Sequence, residues 1–448
     1  MSQTDGNCFH QRDSIERLIG LERERLVDGL AAVFPDADRV QRRDDVKAMT
    51  IRGGLSAAAA RLATIDPIAY ARTRNHLDGA VTGLSPWIRH GVLSLAEVRD
   101  RALALVQDPR EAAKLISELG WRDYWRQVHL AIGDRIHDDI EPPAAAARGA
   151  SADRMPEDVL DAATGMRCID SFVRRLHDQG WLHNHERMWL ASWLVHVRRV
   201  RWQAGADWFL EHLLDADPAS NHLSWQWIAG TFSAKPYIFN RENIESHSGG
   251  VHCSPCPLLG RCDVEGDYGL LSERLFLTGT PIQRPALRIR PAGPSAMAAG
   301  RSLPSKDGTA IVWLTLDSVS DASPAARANP DATRVFVVDP AWLARERPTL
   351  KRLAFLFECL AEVPRLEVHV GDPATLLAAR ARALGCERIC LAETPCPAVG
   401  RAAAALQGTV RIEQVAWPEF CDRGTVRDLG RFSRYWSQVE ASALRPTR

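Results

Sequence analysis

Long apolar runs are missing from this 448-residue sequence, and none approaches the roughly 18 apolar residues that a membrane-spanning helix needs. The first residues, MSQTDGNCFHQRD, also lack the charged and then apolar segments of an export signal. Ten cysteines are too few for a disulfide scaffold in a chain of this length. These absences argue against a membrane partner and predict reduced thiols in a cytoplasmic protein.

An excess of charge of one sign is missing too, because 56 Lys and Arg side chains balance 56 Asp and Glu side chains. Any contact with nucleic acid must therefore come from a local patch of charge. A glycine-rich dinucleotide or phosphate-binding fingerprint is absent as well. Tryptophan, in contrast, is abundant, with 14 Trp against 5 Tyr. This excess indicates either an aromatic helical core or a site that stacks a flat ring.

The pattern of apolar residues divides the chain into three parts. Residues 1–276 repeat apolar residues three and four positions apart, which is typical of packed helices. Residues 277–308 are rich in proline and predict an extended linker. Residues 309–448 alternate short apolar runs with helical segments, as βαβ units around a parallel sheet do. The predicted fold is an all-helical domain followed by a Rossmann-like parallel α/β domain.

Polar residues interrupt the helical part at two places before residue 130. The segment TGLSPWIRHG predicts a helix with Ser85 as N-cap and Pro86 in its first turn, where free N–H groups can seat a phosphate. In ELGWRDYWR, Glu118 and Arg122 lie one turn apart and are spaced for an i,i+4 ion pair.

A denser set of polar residues follows in GWLHNHERM and DADPASNHLSWQW. A buried arginine or carboxylate needs a partner of opposite charge, so Arg187 is expected to pair with Asp215 or Asp217. This pattern indicates a polar site inside an apolar helical domain.

These motifs together resemble the FAD-binding helical domain of the DNA photolyase/cryptochrome family. DADPASNHLSWQW, with GWLHNHERM, TGLSPWIRHG and ELGWRDYWR before it, carries the resemblance, and RGGLSAAAARL and IDPIAYARTRN resemble the opening of that domain. The resemblance implies a U-shaped FAD among the helices. It implies that the phosphate end of FAD lies at Tyr70, Thr82, Leu84 and Ser85, and the flavin ring at Arg187, Asp215, Asp217 and Asn221.

The resemblance also implies which residues carry the light chemistry. An amide at Asn221 can hydrogen-bond flavin N5 but has no readily transferable proton, which suits a reduced flavin. Trp225 and then Trp202 are expected to begin an electron chain between light-excited FAD and the surface, and no third ring is assigned.

Three further residues match positions that contact a flipped pyrimidine dimer in the repair enzymes of the family: Glu118, Trp121 and Asn184. A flipped lesion needs an aromatic wall, which Trp121 is expected to provide. His185 stands where those enzymes have an arginine, which removes an always-charged phosphate partner. Arg122 and Arg126 are the local candidates for contacts to DNA phosphates.

The segment HCSPCPLLGRC holds three cysteines, Cys253, Cys256 and Cys262. Thiolates two residues apart are spaced to bind one metal centre, but three ligands fall one short of the usual four. Zinc with His252 or His247 as the fourth ligand and unrelated free thiols are both open. The segment TGMRC resembles the distant cysteine of the bacterial iron–sulfur branch of this family, which implies that Cys168 completes a [4Fe–4S] cluster.

The α/β part resembles the domain that normally precedes the helical domain in this family. Its segments IVWLTLDSVS, RVFVVDP, LEVHVGDPATLLAARARALG and ICLAETPCP follow that domain in their own order. We therefore predict a circular permutation, with fusion of an unrelated α/β domain as the alternative. Residues 314–318 replace the basic run after the first strand, which argues against an antenna chromophore and a DNA contact at this loop.

The sequence thus predicts a blue-light-dependent FAD flavoprotein. The leading interpretation is a deoxyribodipyrimidine photolyase, a carbon–carbon lyase that acts on UV-damaged DNA. The alternative is a cryptochrome-like photoreceptor that signals to a protein partner through flavin photoreduction. His185, the altered loop and the balanced charge favour the photoreceptor, whereas Glu118, Trp121 and Asn221 favour repair. A redox or RNA-related flavoprotein without light function is a third possibility.

Overall fold

The computed structural model of the protein describes residues 15–38, 42–277, 282, 284–292 and 309–446. Most of the predicted linker 277–308 lies outside these residues. The described stretch 284–292 has neither helix nor strand. Arg284 in it donates to the carbonyl oxygens of Pro142, Gly230 and Ser233, at 3.1, 3.0 and 2.5 Å. This stretch is therefore held against the helical part.

Fourteen α-helices occupy the described residues before 277. Several begin with an aspartate N-cap followed by proline, as at Asp66-Pro67, Asp108-Pro109 and Asp217-Pro218, because the side chain accepts from free N–H groups and proline tolerates the first turn. The helices are α1 Arg23–Val33, α2 Arg43–Ala48, α3 Leu55–Ala63, α4 Pro67–Thr73, α5 Ser85–Arg89, α6 Leu95–Ala104, α7 Pro109–Ile132, α8 Glu157–Leu160, α9 Arg167–Gln179, α10 Asn184–Ser192, α11 Trp202–His212, α12 Pro218–Ala229, α13 Arg241–Ser248 and α14 Tyr268–Leu275.

A five-stranded parallel sheet with surrounding helices forms the rest of the described chain. Its three central strands are largely buried apolar runs, as expected for a parallel sheet covered on both faces. The elements are β1 Ala310–Leu314, α15 Pro324–Ala328, β2 Thr333–Val338, α16 Pro340–Glu346, α17 Leu350–Ala361, β3 Leu366–Val370, α18 Pro373–Leu384, β4 Arg388–Ala392, α19 Pro397–Leu406, β5 Arg411–Val415 and α20 Phe432–Ala443. The predicted combination of a helical part and a parallel α/β part is confirmed.

The strand order is β3-β2-β1-β4-β5. The chain therefore moves outward from β1 to β3 and then crosses back to β4. A cavity lies at this switch point, at the carboxyl ends of β1, β2 and β4.

One apolar core joins the helices to the sheet. Buried side chains of α1, α7, α17 and α20 belong to a single cluster. At its edge, Lys351 Nζ donates to His177 O at 2.8 Å and lies 3.0 Å from His212 Nδ1 at the end of α11. Burial lowers the pKa of Lys351 to about 7. These contacts fix the end of α11, which leads directly into Asp215.

In the described part of the chain, none of the helices has the length and apolar character needed to cross a membrane.

Candidate functional site

A cavity of about 530 Å³ lies between α7, α10, α11 and α12. Seven residues predicted to bind FAD, contact the lesion or carry electrons line it: Glu118, Trp121, Asn184, Arg187, Asp215, Asn221 and Trp225. They come from helix faces and one loop that are far apart in the sequence. The fold thus brings acidic, guanidinium, amide and indole groups to one place.

An ion pair forms the charged centre of the cavity. Arg187 Nη2 donates to Asp215 Oδ2 at 2.8 Å, and Arg187 Nε donates to Leu182 O at 3.0 Å. The Asp215 side chain is 1% exposed and that of Arg187 is 24% exposed. Burial raises the pKa of Asp215, but the charges of Arg187 and Arg122 and the hydrogen bond from Arg187 outweigh it and hold the pKa below its usual value. Asp215 is therefore an anion at neutral pH.

Asn221 has a fixed orientation beside this pair. Its Nδ2 donates to Ala206 O at 2.8 Å, and a backbone carbonyl can only accept a hydrogen bond. The amide nitrogen is thus held by α11, and Oδ1 is the atom left free to accept a hydrogen bond from a ligand.

Unsatisfied polar atoms in the cavity indicate a missing polar partner. Among the described residues, Asp215 Oδ1, Ser220 Oγ and Trp225 Nε1 are buried without a hydrogen-bond partner, and all three side chains line the cavity. Buried polar groups are rarely left unpaired in folded proteins. Two acceptors and one indole donor, beside a guanidinium, fit a heteroaromatic ligand with both donors and acceptors, as a flavin ring has.

Arg122 also lines this cavity, although the sequence predicts it as a contact to DNA phosphates. Glu118 does not pair with it; Lys114 Nζ lies 2.8 Å and Arg74 Nε 3.5 Å from Glu118 Oε1. Arg122 instead faces Asp217 and Asp215, and burial lowers its pKa. The expected Glu118–Arg122 pair was wrong, because Glu118 pairs with Lys114 and Arg74 while Arg122 lies near Asp217 and Asp215.

Both candidates for DNA phosphates have contacts within the protein. Arg122 lines internal cavities, and Arg126 Nη2 donates to Glu393 O in the α/β part at 2.7 Å. Both arginines are partly exposed, and their contacts to DNA phosphates stay a prediction.

One face of Trp121 is covered by the last helix of the chain. The Phe432 ring stacks on it with centroids 3.8 Å apart and planes 13° apart. The Trp436 ring lies against Gly120, where an added Cβ would be 2.3 Å from it. Trp121 is therefore held in place by Phe432 on one side, its ring also contacts Trp125 and Tyr124, and it lines the cavity. Asn184 lies exposed nearby and donates to Met188 Sδ at 3.2 Å.

The residues expected at the phosphate end of FAD lie beside the cavity rather than on its lining. Leu84, not Ser85, is the N-cap of α5, a helix of five residues. The Ser85 hydroxyl instead accepts from Trp181 Nε1 at 3.2 Å. The predicted N-cap was wrong by one residue, because the indole takes the serine oxygen.

Two more of these residues have backbone or charge contacts of their own. Thr82 O accepts from Arg61 Nε at 2.6 Å, which anchors the loop before α5. Burial and the negative charge of Glu118 raise the pKa of Tyr70, so this phenol lies near the Glu118 carboxylate.

Asp217 and Trp202 lie outside the cavity lining. Asp217 caps α12 by accepting from Ser220 N at 2.6 Å. It lines a second cavity of about 500 Å³ at the carboxyl ends of β1, β2 and β4. Trp202 begins α11 and donates through Nε1 to Asp139 Oδ1 at 2.7 Å.

The loop after β1 holds the two parts of the molecule together at this second cavity. Asp317 forms an ion pair with Arg89 and accepts from Thr394 Oγ1. Arg89 Nε also donates to Ala216 O at 2.8 Å, beside Asp215. Arg89 thus links the loop that replaces the expected basic run to the backbone next to Asp215.

The four cysteines predicted to bind a cluster come close to one another. Burial, together with the neighbouring thiols of Cys253, Cys256 and Cys262, raises the pKa of Cys168 to about 12. In the residues that the structure describes, however, no group of three or more His, Cys, Asp or Glu side chains is arranged to hold a metal ion. His247 and His252, the zinc alternatives, contact His185 and Phe172 instead.

Comparison with known proteins identifies the helical part. Residues 115–268 match the family described as the FAD binding domain of DNA photolyase. The deoxyribodipyrimidine photo-lyase of Streptomyces griseus is 36% identical over 270 residues, which cover 58% of this chain and 55% of that protein. Cryptochrome DASH of Ostreococcus tauri is 35% identical over 212 residues, covering 44% of this chain and 38% of that protein. The chain thus spans about half the length, or less, of these relatives.

Two solved structures show a weaker likeness. The class III photolyase of Agrobacterium tumefaciens aligns with a TM-score of 0.37 and 25% identity over 46% of this chain and 45% of that chain. The cryptochrome of Synechocystis aligns with a TM-score of 0.40 and 24% identity over 48% and 47%. Residues 115–268 are thus similar to the FAD binding domain of DNA photolyase.

Proposed function

We propose that this protein is a light-dependent FAD flavoprotein that splits UV-induced pyrimidine dimers in DNA. The observation that carries the proposal is the single cavity that unites the Arg187–Asp215 pair, Asn221 and Trp225 with Glu118 and Trp121. Groups suited to a flavin and groups suited to a lesion therefore share one space.

FAD, when bound in its reduced form and excited by light, supplies the electron that splits a dimer. The residues of this chain hold and orient it. Asn221 Oδ1, held by the contact of its amide nitrogen to Ala206 O, would accept a hydrogen bond from N5–H of reduced flavin. Arg187 and Asp215 would bind polar edges of the ring, and Asp215 Oδ1, Ser220 Oγ and Trp225 Nε1 would gain partners.

The lesion-facing residues do separate work. Trp121 offers a flat apolar wall, and its stacking on Phe432 prevents it from turning away. Glu118 carries two cationic partners, Lys114 and Arg74, and these can also bind the phosphates next to a flipped lesion. Protein groups on both sides of the lesion exclude water from it.

Illumination of the reduced holoprotein with a dimer-containing oligonucleotide tests this function. We expect light-dependent loss of dimer, and a loss of at least about tenfold in rate for Glu118→Gln, since removal of one polar partner costs about 1–3 kcal/mol. Glu111→Gln, an exposed change on the same helix, is the matched control and should repair normally. No loss of dimer in protein that is photoreduced efficiently contradicts the proposal.

One observation favours the second candidate, a cryptochrome-like photoreceptor. Arg122 and Arg126 have contacts within the protein, and His185 stacks on His247 with centroids 5.3 Å apart, so these groups are less free to bind a DNA backbone. Photoreduction without dimer repair, together with light-dependent capture of a protein partner, is the result that selects this function.

The four cysteines support a separate proposal, that they bind a [4Fe–4S] cluster. Its support is the proximity of the buried Cys168 thiol to the other three, reflected in its raised pKa. Iron and sulfide analysis of protein purified without oxygen should find about four of each per chain. Stoichiometric zinc without iron or sulfide contradicts the cluster.

The order of the two parts supports the proposal of a circular permutation. Helix α20 returns from the end of the chain to pack on α7, which brings the C-terminal part back to the helical part. A rearranged chain with residues 309–446 first, joined by a flexible linker to residue 15, should fold and bind FAD equally well. Failure of this chain to fold contradicts the permutation.

A further inference from the structure

A buried tryptophan of the proposed electron chain is hydrogen-bonded to an exposed carboxylate. Trp202 is 5% exposed, and its Nε1 donates to Asp139 Oδ1 at 2.7 Å. Asp139 itself is exposed. The indole proton of Trp202 therefore reaches solvent through this carboxylate rather than directly.

Trp225 has no such partner. Its Nε1 is buried without a hydrogen bond among the described residues. Its ring fills the space beside Gly205, one turn after Trp202 on α11, where an added Cβ would lie 2.3 Å from the ring. The two indoles are thus packed along one helix, but in the described part of the chain only the Trp202 N–H has a protein carboxylate as its acceptor.

The chain of indoles ends at Trp202. Its ring contact within the described residues is with His222, 6.0 Å away and nearly perpendicular, and no further Trp or Tyr ring contacts it. Among the described residues, an oxidised indole at this position therefore has no Tyr or further Trp ring in contact with it that could reduce it. Loss of its proton is the step that can keep it from recovering the electron from the flavin.

We propose that Asp139 is the proton acceptor that traps the oxidised form of Trp202. The proposal rests on the proposed function, because light-excited FAD is the oxidant. One electron passes from Trp225 to that flavin, and one electron then passes from Trp202 to Trp225. The Trp202 N–H bond breaks, its proton goes to an Asp139 carboxylate oxygen, and a neutral indole radical remains.

The cycle closes with water and an external thiol. Asp139 passes its proton to water, and the thiol later returns one electron and one proton to the Trp202 radical. Because the acceptor is charged and already hydrogen-bonded, the proton moves without any rearrangement of the protein. The reverse electron transfer then requires the proton to return first, which slows it.

Time-resolved absorption of the FAD-loaded protein after a light pulse tests this role. In the wild type, the radical cation band of tryptophan should give way to the neutral radical band. Asp139→Asn keeps the size of the side chain but is a far weaker base. In this variant the cation band should not convert to the neutral band, and the radical should recombine with the flavin at least about tenfold faster than in the wild type. Asp138→Asn, an exposed neighbour, is the matched control and should behave as the wild type.

A second measurement tests the contact without FAD. In the apoprotein, the indole N–H resonance of Trp202 should lie downfield because the N–H donates to a carboxylate, and Asp139→Asn should move it upfield because an amide oxygen is a weaker acceptor. Equal radical decay in Asp139→Asn and wild type, with photoreduction intact, overturns the role of Asp139 alone. Loaded protein that forms no tryptophan radical in any variant overturns the electron chain as well.

Discussion

Replacement of Arg187 by methionine removes the cation closest to Asp215 and tests the charged centre of the cavity. The Asp215 side chain is 1% exposed, so its carboxylate then remains buried with Arg122 as its remaining cationic neighbour. Breaking a buried pair in this way costs about 3–5 kcal/mol, and Arg122 puts the expected loss at about 3 kcal/mol. Asp215→Asn should cost less, about 1–2 kcal/mol, because Arg187 is 24% exposed and water can reach it.

Urea unfolding of the apoprotein at pH 7 measures these losses. The double variant Arg187→Met/Asp215→Asn should lose less than the two single losses added together, since no uncompensated charge remains. The control is Arg198→Met, which breaks a pair with Asp158 at the same 2.8 Å distance and should cost less than Arg187→Met, because the Asp158 side chain is 41% exposed and stays hydrated.

The loss in Arg187→Met should depend on pH in a definite direction. The pKa of Asp215 is lowered in the folded wild type, so the pair stabilises the protein above the ordinary carboxyl pKa and is lost as pH falls through the lowered value. In the variant, burial without Arg187 raises the pKa of Asp215. The deficit in the free energy of unfolding relative to the wild type should therefore shrink in mild acid, where Asp215 becomes protonated. A deficit equal to that of Arg198→Met, or one that does not change with pH, refutes this account of the site.

Three further changes test the surroundings of the site. Phe432→Ala removes the ring stacked on Trp121 and should lower the free energy of unfolding in urea by roughly 2 kcal/mol, less than the loss of a fully buried phenylalanine ring. It should also weaken the binding of dimer-containing DNA. Unchanged binding contradicts a positioning role. Gly120→Ala places a Cβ 2.3 Å from the Trp436 ring, so thermal unfolding should show a net loss of about 1 kcal/mol or more despite the better helix propensity; a gain contradicts it. For Lys351, whose folded pKa of about 7 lies below its unfolded value near 10, stability should rise with pH between these values, and Lys351→Met should remove that slope; an identical slope in the variant contradicts it.

Much of the architecture could be predicted because the strands are buried on both faces. Runs such as AIVWL and TRVFVV have no competing helical period, so their pairing into a parallel sheet followed from the pattern. The sequence predicts Asp215 or Asp217 as the partner of Arg187, because a buried guanidinium must pair with a carboxylate. Only the structure separates the two, since Asp217 is used as the cap of α12.

Contacts between distant segments could not be predicted. The i,i+4 spacing favoured Glu118 as the partner of Arg122. Instead, Arg74 and Lys114 pair with the Glu118 carboxylate, and Arg122 lies near Asp217 and Asp215. The stacking of Phe432 on Trp121 joins the last helix to α7, and no local pattern encodes a contact of such sequence separation. The Asp139 contact to Trp202 was missed for the same reason, because an exposed aspartate in a short turn carries no signal of its partner.

The content of FAD in the protein tests the central claim most directly. Protein incubated with excess FAD and then freed of unbound cofactor by gel filtration should carry one FAD per chain. Arg187→Met should bind it at least about tenfold more weakly, while Arg198→Met should bind it normally. A wild-type protein that elutes without FAD contradicts the account.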